Sequence, residues 1–371
     1  MRSARILIIG GGIGGLTAAI ALRQRGFDVD LLEKNPPMTV YGVGIIQQAN
    51  VIRAMKALGI LDSYISAGFG FDHVYVLIAS GQLVAKLDSP RLVEGYPANL
   101  GISRRSLHEV LTAKALELGA HLDFGFTTTR LEDTGNAVIA HFEGKARKSY
   151  DLVVAADGIN STTRSALFPE AAGPEYTGQS VWRYNFSRPK EVDGLFAYSG
   201  PVSVGLVPLS QDAMYMYLTT TESTGERPSR KGLARNMSDR LSGTCPAILA
   251  LASQITDDAA VVYRPLEWVF LKGAWHQGRI ALLGDAVHAT TPHLGQGAGM
   301  AIEDALVIAD ELASRDTVEE AFAAYSARRY QRCKYIVDRS KAICYGQLGK
   351  GPVVDPARAT REMFDVIAQP I

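Results

Sequence analysis

Cysteine is scarce: the 371-residue chain has three, Cys245, Cys333 and Cys344, far apart and without a C-x-x-C pair. That count argues against a disulfide framework or a cysteine-based zinc site and suits a reducing compartment. Net charge is missing too, because 38 Lys+Arg balance 38 Asp+Glu. No global field draws such a chain to nucleic acid or to an anionic membrane, and neither is an expected partner. No apolar run approaches the roughly 18 residues of a membrane span. The run that follows Arg5 is broken by glycines from Gly10 onward, unlike a signal peptide. The seven histidines have no ligand spacing, so no metal is expected. These absences lead to the expectation of a cytoplasmic globular protein, and 47% hydrophobic with 20% charged residues is ordinary for one.

What is present begins with a βαβ pattern. Ala4–Ile9 reads as a buried parallel strand, Ile13–Arg25 as a helix stopped by Gly26, and Asp28–Leu32 as a second strand closed by Glu33. Ser106-Leu107-His108-Glu109 reads as a capping box opening a helix that runs to Gly119. Tyr150–Ala156 and Arg279–Leu283 read as further buried strands. From about 176 to 270 the pattern turns to alternating strands. Ala213–Thr219 sets Tyr215 and Tyr217 on one face, with Met214 and Met216 on the other. Helical periodicity returns at 296–312. A long helix is expected from Thr317, capped with Glu320, to about Tyr345.

The expected fold class is α/β: a Rossmann-like nucleotide domain with an inserted β-sheet domain and C-terminal helices. The expected boundaries are 1–75, 100–175 and 275–315 for the discontinuous nucleotide domain. The substrate sheet is assigned to 76–99 and 176–274, and the C-terminal helical segment to 316–371.

Gly10-Gly11-Gly12-Ile13-Gly14-Gly15 is a G-x-G-x-x-G between a strand and a helix. Gly10 permits the tight turn, Gly12 lets backbone approach a pyrophosphate, and Gly15 allows close helix packing. The helix start at Ile13 and Gly14 then offers free amides to negative charge. Glu33, with Lys34 beside it, ends the second strand where an acid accepts from ribose hydroxyls. Strand, glycines, helix and acid together point to a dinucleotide.

With two more motifs, the chain resembles the single-component FAD-dependent aromatic monooxygenases, the group of salicylate, hydroxynicotinate and hydroxybenzoate hydroxylases. One is Val153-Val154-Ala155-Ala156-Asp157-Gly158-Ile159-Asn160-Ser161 with Arg164, similar to the family's DG motif. The other is Gly284-Asp285-Ala286-Val287-His288 continuing through Pro292-His293-Leu294-Gly295-Gln296-Gly297-Ala298-Gly299, similar to its GD motif. The resemblance implies non-covalent FAD, with NAD(P)H as a transient co-substrate reducing a mobile flavin and O₂ forming a C4a-hydroperoxide that hydroxylates an activated ring. The substrate it implies is a small phenol or hydroxypyridine, possibly a carboxylate.

The resemblance also implies site residues. Asp285 would accept from a ribityl hydroxyl, and Gly295, Gly297 and Ala298 would present bare amides to the flavin. Arg104, favoured over Arg105, would meet the FAD phosphates and ribityl chain. Gly42-Val43-Gly44-Ile45 is similar to the segment beside the isoalloxazine ring, and Thr128 falls where the family contacts adenine. Asp157 joins the cofactor set. Pro292 would shape the pocket, and His293 is a candidate substrate contact. His288 is expected to be a buried hydrogen-bonding residue. Hydroxynicotinate-type members carry a histidine where this chain has Ile46, so that base is missing. Tyr215 or Tyr217 is then the expected polar partner of the substrate, and Arg183 the candidate for a substrate carboxylate. A reductase, a halogenase or a non-catalytic flavoprotein on the same scaffold is the alternative. Trp182, Trp268 and Trp275 form no halogenase W-x-W-x-I-P motif. The expected assembly is a monomer or homodimer.

Overall fold

The structure, a computed structural model, describes residues 4–36, 43–200 and 202–371. Gly42 therefore lies outside the described residues. Two sheets organise the molecule. The first has six strands, in the order His276–Gln277, Ile280–Leu282, Leu152–Ala155, Arg5–Ile9, Asp28–Glu33 and His121–Phe124. All its pairings are parallel except the outermost, His276–Gln277 on Ile280–Leu282. Arg5–Ile9 sits in the middle, flanked by chain segments more than a hundred residues apart in sequence. Its residues Ile6, Leu7 and Ile8 are fully buried, as expected where both faces of a parallel sheet are covered.

The helix Ile13–Gln24 lies on one face beside the helix Gly297–Ser314. Gly14 lets them meet: a Cβ there would stand 2.8 Å from Leu283 Cδ2 and 3.2 Å from Ala301 Cβ. The starts of both helices are thereby brought to the same edge of the sheet. This face is closed further by Val318–Gln347, whose Thr317–Glu320 capping box is formed as expected, and by Pro356–Ala368.

The second sheet has seven strands, in the order Val262–Trp268, Glu175–Ser187, Ala213–Thr221, Ser203–Pro208, Leu195–Ser199, His73–Ile78 and Leu83–Asp88. Met214, Met216 and Leu218 pack on one face with Trp182, Met237 and Ile248 from the strand beside them and two short helices. Tyr215 and Tyr217 take the opposite face. A small three-stranded sheet, Gly44–Gln47, Asn99–Ser103 and Gly68–Phe71, joins the two. Its approach is close enough to demand glycine, since a Cβ on Gly101 would lie 1.9 Å from the carbonyl of Pro208.

Two expectations are corrected. The helix expected to open at Ser106 starts at Arg104, because Ser103, leaving the strand in an extended conformation, accepts from the Ser106 amide and caps it. The strand expected over Tyr150–Ala156 is two strands: Lys145–Tyr150 pairs in a separate antiparallel sheet, and Leu152–Ala155 enters the parallel one.

Candidate active site

The glycine loop divides its work between packing and openness. Gly10 has φ +105, and a Cβ there would stand 2.3 Å from the Ala156 carbonyl; Gly15 admits none, being 1.9 Å from the Gly10 carbonyl. Gly12 differs, with nothing among the described residues within 4 Å of where its Cβ would be. Among the described residues no side chain caps the helix that follows, which leaves the first-turn amides at Ile13 and Gly14 without a side-chain partner. Glu33 closes the loop's far side, its Oε2 accepting from the Gly11 amide at 2.8 Å and its Oε1 from Asn35. Lys34 is exposed beside it.

The second helix start repeats the arrangement. Gly297–Ser314 has no side-chain cap either, and around the Cβ position of Gly297 the nearest atom is Thr290 Cγ2 at 3.6 Å. Ala298, half-buried, follows it. Gly295 turns into this helix at φ +66. Beneath the turn, buried carboxamides of Gln48, Asn50 and Gln296 hydrogen-bond one another, and Gln48 donates to the Leu294 carbonyl. Gly299 belongs to that packing, because a Cβ there would come 2.7 Å from Gln296 Oε1. Two neighbouring uncapped helix starts, each with room above a glycine, form a cradle suited to an anionic, hydrogen-bond-accepting ligand. Sequence reasoning read the glycines but missed the carboxamides, whose contacts span about 250 residues and leave no local pattern.

The charged groups of the cleft fit the same ligand. Asp285 opens the short helix Asp285–His288 and is exposed to the cleft. Enclosure by protein raises its carboxyl, opposed by His288 and Arg104. Arg104 sits at the first position of its helix with its side chain unpaired among the described residues; burial lowers its pKa. Gly44 and Ile45 lie on the strand facing this region. Gly44 must be glycine, since the Tyr215 ring crosses it, with Cδ1 2.2 Å from a notional Cβ.

Four expected residues are placed by local structure. Asp157 accepts from Ser161 Oγ and from the Thr163 amide and hydroxyl, at the start of Thr162–Leu167, the helix that Ser161 caps. Thr128, half-buried, begins a strand of the separate antiparallel sheet. Pro292 starts the 3-10 turn Pro292–Leu294. His293, on that turn, uses both ring nitrogens, Nδ1 with Thr291 Oγ1 at 3.0 Å and Nε2 with Gln347 Oε1 at 3.2 Å. Burial lowers its pKa to about 4, so the ring is neutral at physiological pH. As expected, His288 is fully buried and hydrogen-bonded, to Asp304.

Across the cleft, the seven-stranded sheet sets Arg183 directly opposite Tyr217, and Tyr217 opposite Gly205. The Tyr217 ring lies over Gly205, where a Cβ would meet Cε1 and Cζ at 2.1 Å. Tyr215 is one pleat along, its ring 6.3 Å from that of Tyr217. Burial raises the Tyr215 phenol to about 12 and that of Tyr217 higher still. Arg183 has no carboxylate partner among the described residues. Burial lowers its pKa to about 10, assisted by Arg104 and Arg264, and it remains cationic at neutral pH.

The FAD binding domain family matches residues 3–340, and the chain belongs to that family. It is 30% identical to 6-hydroxynicotinate 3-monooxygenase of Pseudomonas fluorescens over 356 residues, covering 90% of each chain. It is 30% identical to 3-hydroxybenzoate 6-hydroxylase of Polaromonas naphthalenivorans over 358 residues, covering 91% of this chain and 86% of that one. Among solved structures, Klebsiella pneumoniae HpxO complexed with FAD and uric acid superimposes with a TM-score of 0.84 at 26% identity, over 98% of this chain and 92% of that one. The protein is an FAD-dependent monooxygenase of the aromatic hydroxylase type.

No helix among the described residues is long and apolar enough to cross a membrane. Asp304, His288 and Cys333 approach one another closely. The Arg329 guanidinium pairs with Asp304 there.

Proposed function

We propose that this enzyme uses NAD(P)H and O₂ to hydroxylate a small phenol or hydroxypyridine that bears an acidic group. The observation that carries this reading is Arg183, a cleft-facing guanidinium without a carboxylate partner among the described residues, set beside the buried Tyr215 and half-buried Tyr217 on one sheet face. A desolvated cation of this kind favours an anionic ligand, and its planar fork suits a carboxylate. The relatives named for hydroxynicotinate and hydroxybenzoate act on substrates of that chemistry.

FAD supplies the redox chemistry that activates oxygen, and the protein supplies binding and orientation. The uncapped helix start at Ile13 receives the pyrophosphate, with Gly12 allowing close approach and Glu33 accepting from the ribose. The helix start at Gly297 and Ala298 faces the flavin, Asp285 accepts from the ribityl chain, and Arg104 balances the phosphates. Both tyrosines are neutral at physiological pH, so they donate. A phenol hydrogen-bonded to the oxygen of an ionised substrate hydroxyl, with Arg183 nearby, stabilises the electron-rich form of the ring. Neutral His293, with both nitrogens engaged, holds the Pro292 turn in place and is not assigned the role of base.

The test is a panel of phenols, hydroxypyridines and their carboxylates screened for stimulated NADH and NADPH oxidation by the FAD-loaded protein. Acidic members should stimulate most, and product formed under ¹⁸O₂ should carry the label. Stimulation by uncharged rings alone, or oxygen derived from water, would overturn the reading.

A further inference from the structure

The turn that carries Asp285 is too short to hold itself. Asp285–His288 is a four-residue helix entered through Gly284 at φ +65, and a single turn in isolation is unstable. Side chains from elsewhere grip it. Arg164 Nη1 donates to the Ala286 carbonyl at 3.0 Å. Asp304, two turns into the helix Gly297–Ser314, uses one oxygen to hold both ends. Its Oδ2 accepts from the Gly284 amide at 3.2 Å and pairs with His288 Nε2 at 2.6 Å. Its Oδ1 accepts from Arg329 Nε at 2.8 Å, on the long helix Val318–Gln347. Asp304 and His288 are fully buried, and Arg329 is 1% exposed.

We propose that Asp304 is a positioning residue for the cofactor: by gripping Gly284 and His288 together it fixes where Asp285 presents its carboxylate to FAD. This rests on the reading that Asp285 touches FAD. An electrostatic consequence accompanies the geometry. Burial alone would strip the His288 proton, but Asp304 and Cys333 beside it hold its pKa well above the ordinary value. The resulting imidazolium, with Arg104, favours the ionised form of Asp285, while Asp304 itself opposes it. Arg329 and Tyr325 complete the groups around this cluster.

Glu311, two turns further along the same helix, provides a control. It is buried and paired with Arg315 at 2.9 Å and Arg328 at 2.7 Å. No hydrogen bond or ion pair links it to the Gly284–His288 turn or to the carboxamides beneath Gly295 among the described residues.

The experiment titrates FAD into the apoprotein by flavin fluorescence at pH 6 and pH 8 and follows thermal unfolding of the same apoprotein separately. Asp304→Asn should weaken FAD binding about 10- to 100-fold, as expected for losing a hydrogen bond to a charged group. Glu311→Gln loses a buried charge of the same kind and should lower the apoprotein Tm, yet keep FAD affinity within about 3-fold, under one hydrogen bond's worth. Equal FAD losses in both variants, or wild-type affinity in Asp304→Asn, would overturn the inference. Should Asp304→Asn not fold, His288→Gln decides. Without the imidazolium, the ionised form of Asp285 is less favoured, so FAD affinity should fall more steeply from pH 8 to pH 6 than in the wild type. An unchanged pH profile would overturn it. Asp285→Ala separates the two ideas. If it leaves FAD affinity intact, the reading of Asp285 fails. If it weakens FAD while Asp304→Asn does not, only the positioning role is lost.

Discussion

The two sides of the cleft are built from different materials. The parallel sheet presents backbone, in the form of two uncapped helix starts and glycines whose Cβ space is either forbidden, as at Gly15, or empty, as at Gly12. The seven-stranded sheet presents side chains, with Arg183, Tyr217 and Tyr215 standing on one face because of strand register. Backbone amides in a rigid turn suit a ligand that never changes, since their geometry follows from the fold itself. Side chains on a sheet face can be exchanged without disturbing the ladder beneath them, which suits a surface that must discriminate among rings. Substitutions on the first side should therefore act on FAD retention and stability together, and those on the second on substrate handling alone.

The largest effect is expected at Gly15. A methyl group there would lie 1.9 Å from the Gly10 carbonyl, so Gly15→Ala must displace the loop. The cost is about 3 kcal/mol or more, the upper range for overpacking. The variant should purify without FAD and unfold at lower temperature; a yellow, thermally unchanged protein would break the contrast.

Arg183→Gln comes next and should do the reverse. FAD content and Tm should match the wild type, while KM for an acidic aromatic substrate rises about 10- to 100-fold, the range for losing a charge-assisted hydrogen bond. A parallel loss of FAD would show that the two sides are not separable.

Smaller again is the effect of Tyr217→Phe or Tyr215→Phe. Each keeps the ring seated on Gly205 or Gly44 and deletes only the donor, worth about 1 kcal/mol. NAD(P)H consumption should persist while the yield of hydroxylated product falls and peroxide rises. If both variants keep wild-type turnover and coupling, the tyrosine face is not the substrate face.

The smallest effect is a pH dependence at the junction of the two sides. His293 titrates near 4 in the folded protein and near 6.5 when unfolded. The unfolded chain therefore binds the extra proton first, and stability falls as the pH drops from about 6.5 to about 4. Because the ring is half-buried rather than sealed, about 0.5 kcal/mol is expected between pH 7 and pH 5. His293→Gln should flatten that part of the stability profile, measured by denaturant unfolding between pH 7 and pH 5; an unaltered slope would assign the acid sensitivity elsewhere.

Legibility followed the same division. The glycine loop, the Gly284–Asp285 turn and the helix after it could be read locally, because each encodes its geometry within a few residues. The alternation of Tyr215 and Tyr217 against Met214 and Met216 was readable for the same reason. The cap on the Arg104 helix was misread because Ser106-Leu107-His108-Glu109 matches a capping pattern, while the chain's extended entry at Ser103 decides which serine does the work. Asp157 carries a cofactor motif, and its oxygens also accept from Ser161 and Thr163, contacts that the motif alone does not reveal. A motif names a residue without counting its hydrogen-bond partners.

The nucleotide-binding turn and the faces of the tyrosine strand follow from spacing within one element, and the fold class follows from the order of such elements along the chain. Packing between elements is what leaves Arg183 without a carboxylate partner among the described residues, engages both His293 nitrogens, and lets Asp304 hold the Asp285 turn to an arginine 25 residues further on. Each of these is a contact between elements brought together by packing. Whether a buried charge is satisfied depends on everything within a few ångströms of it, and that neighbourhood exists only once the chain has folded.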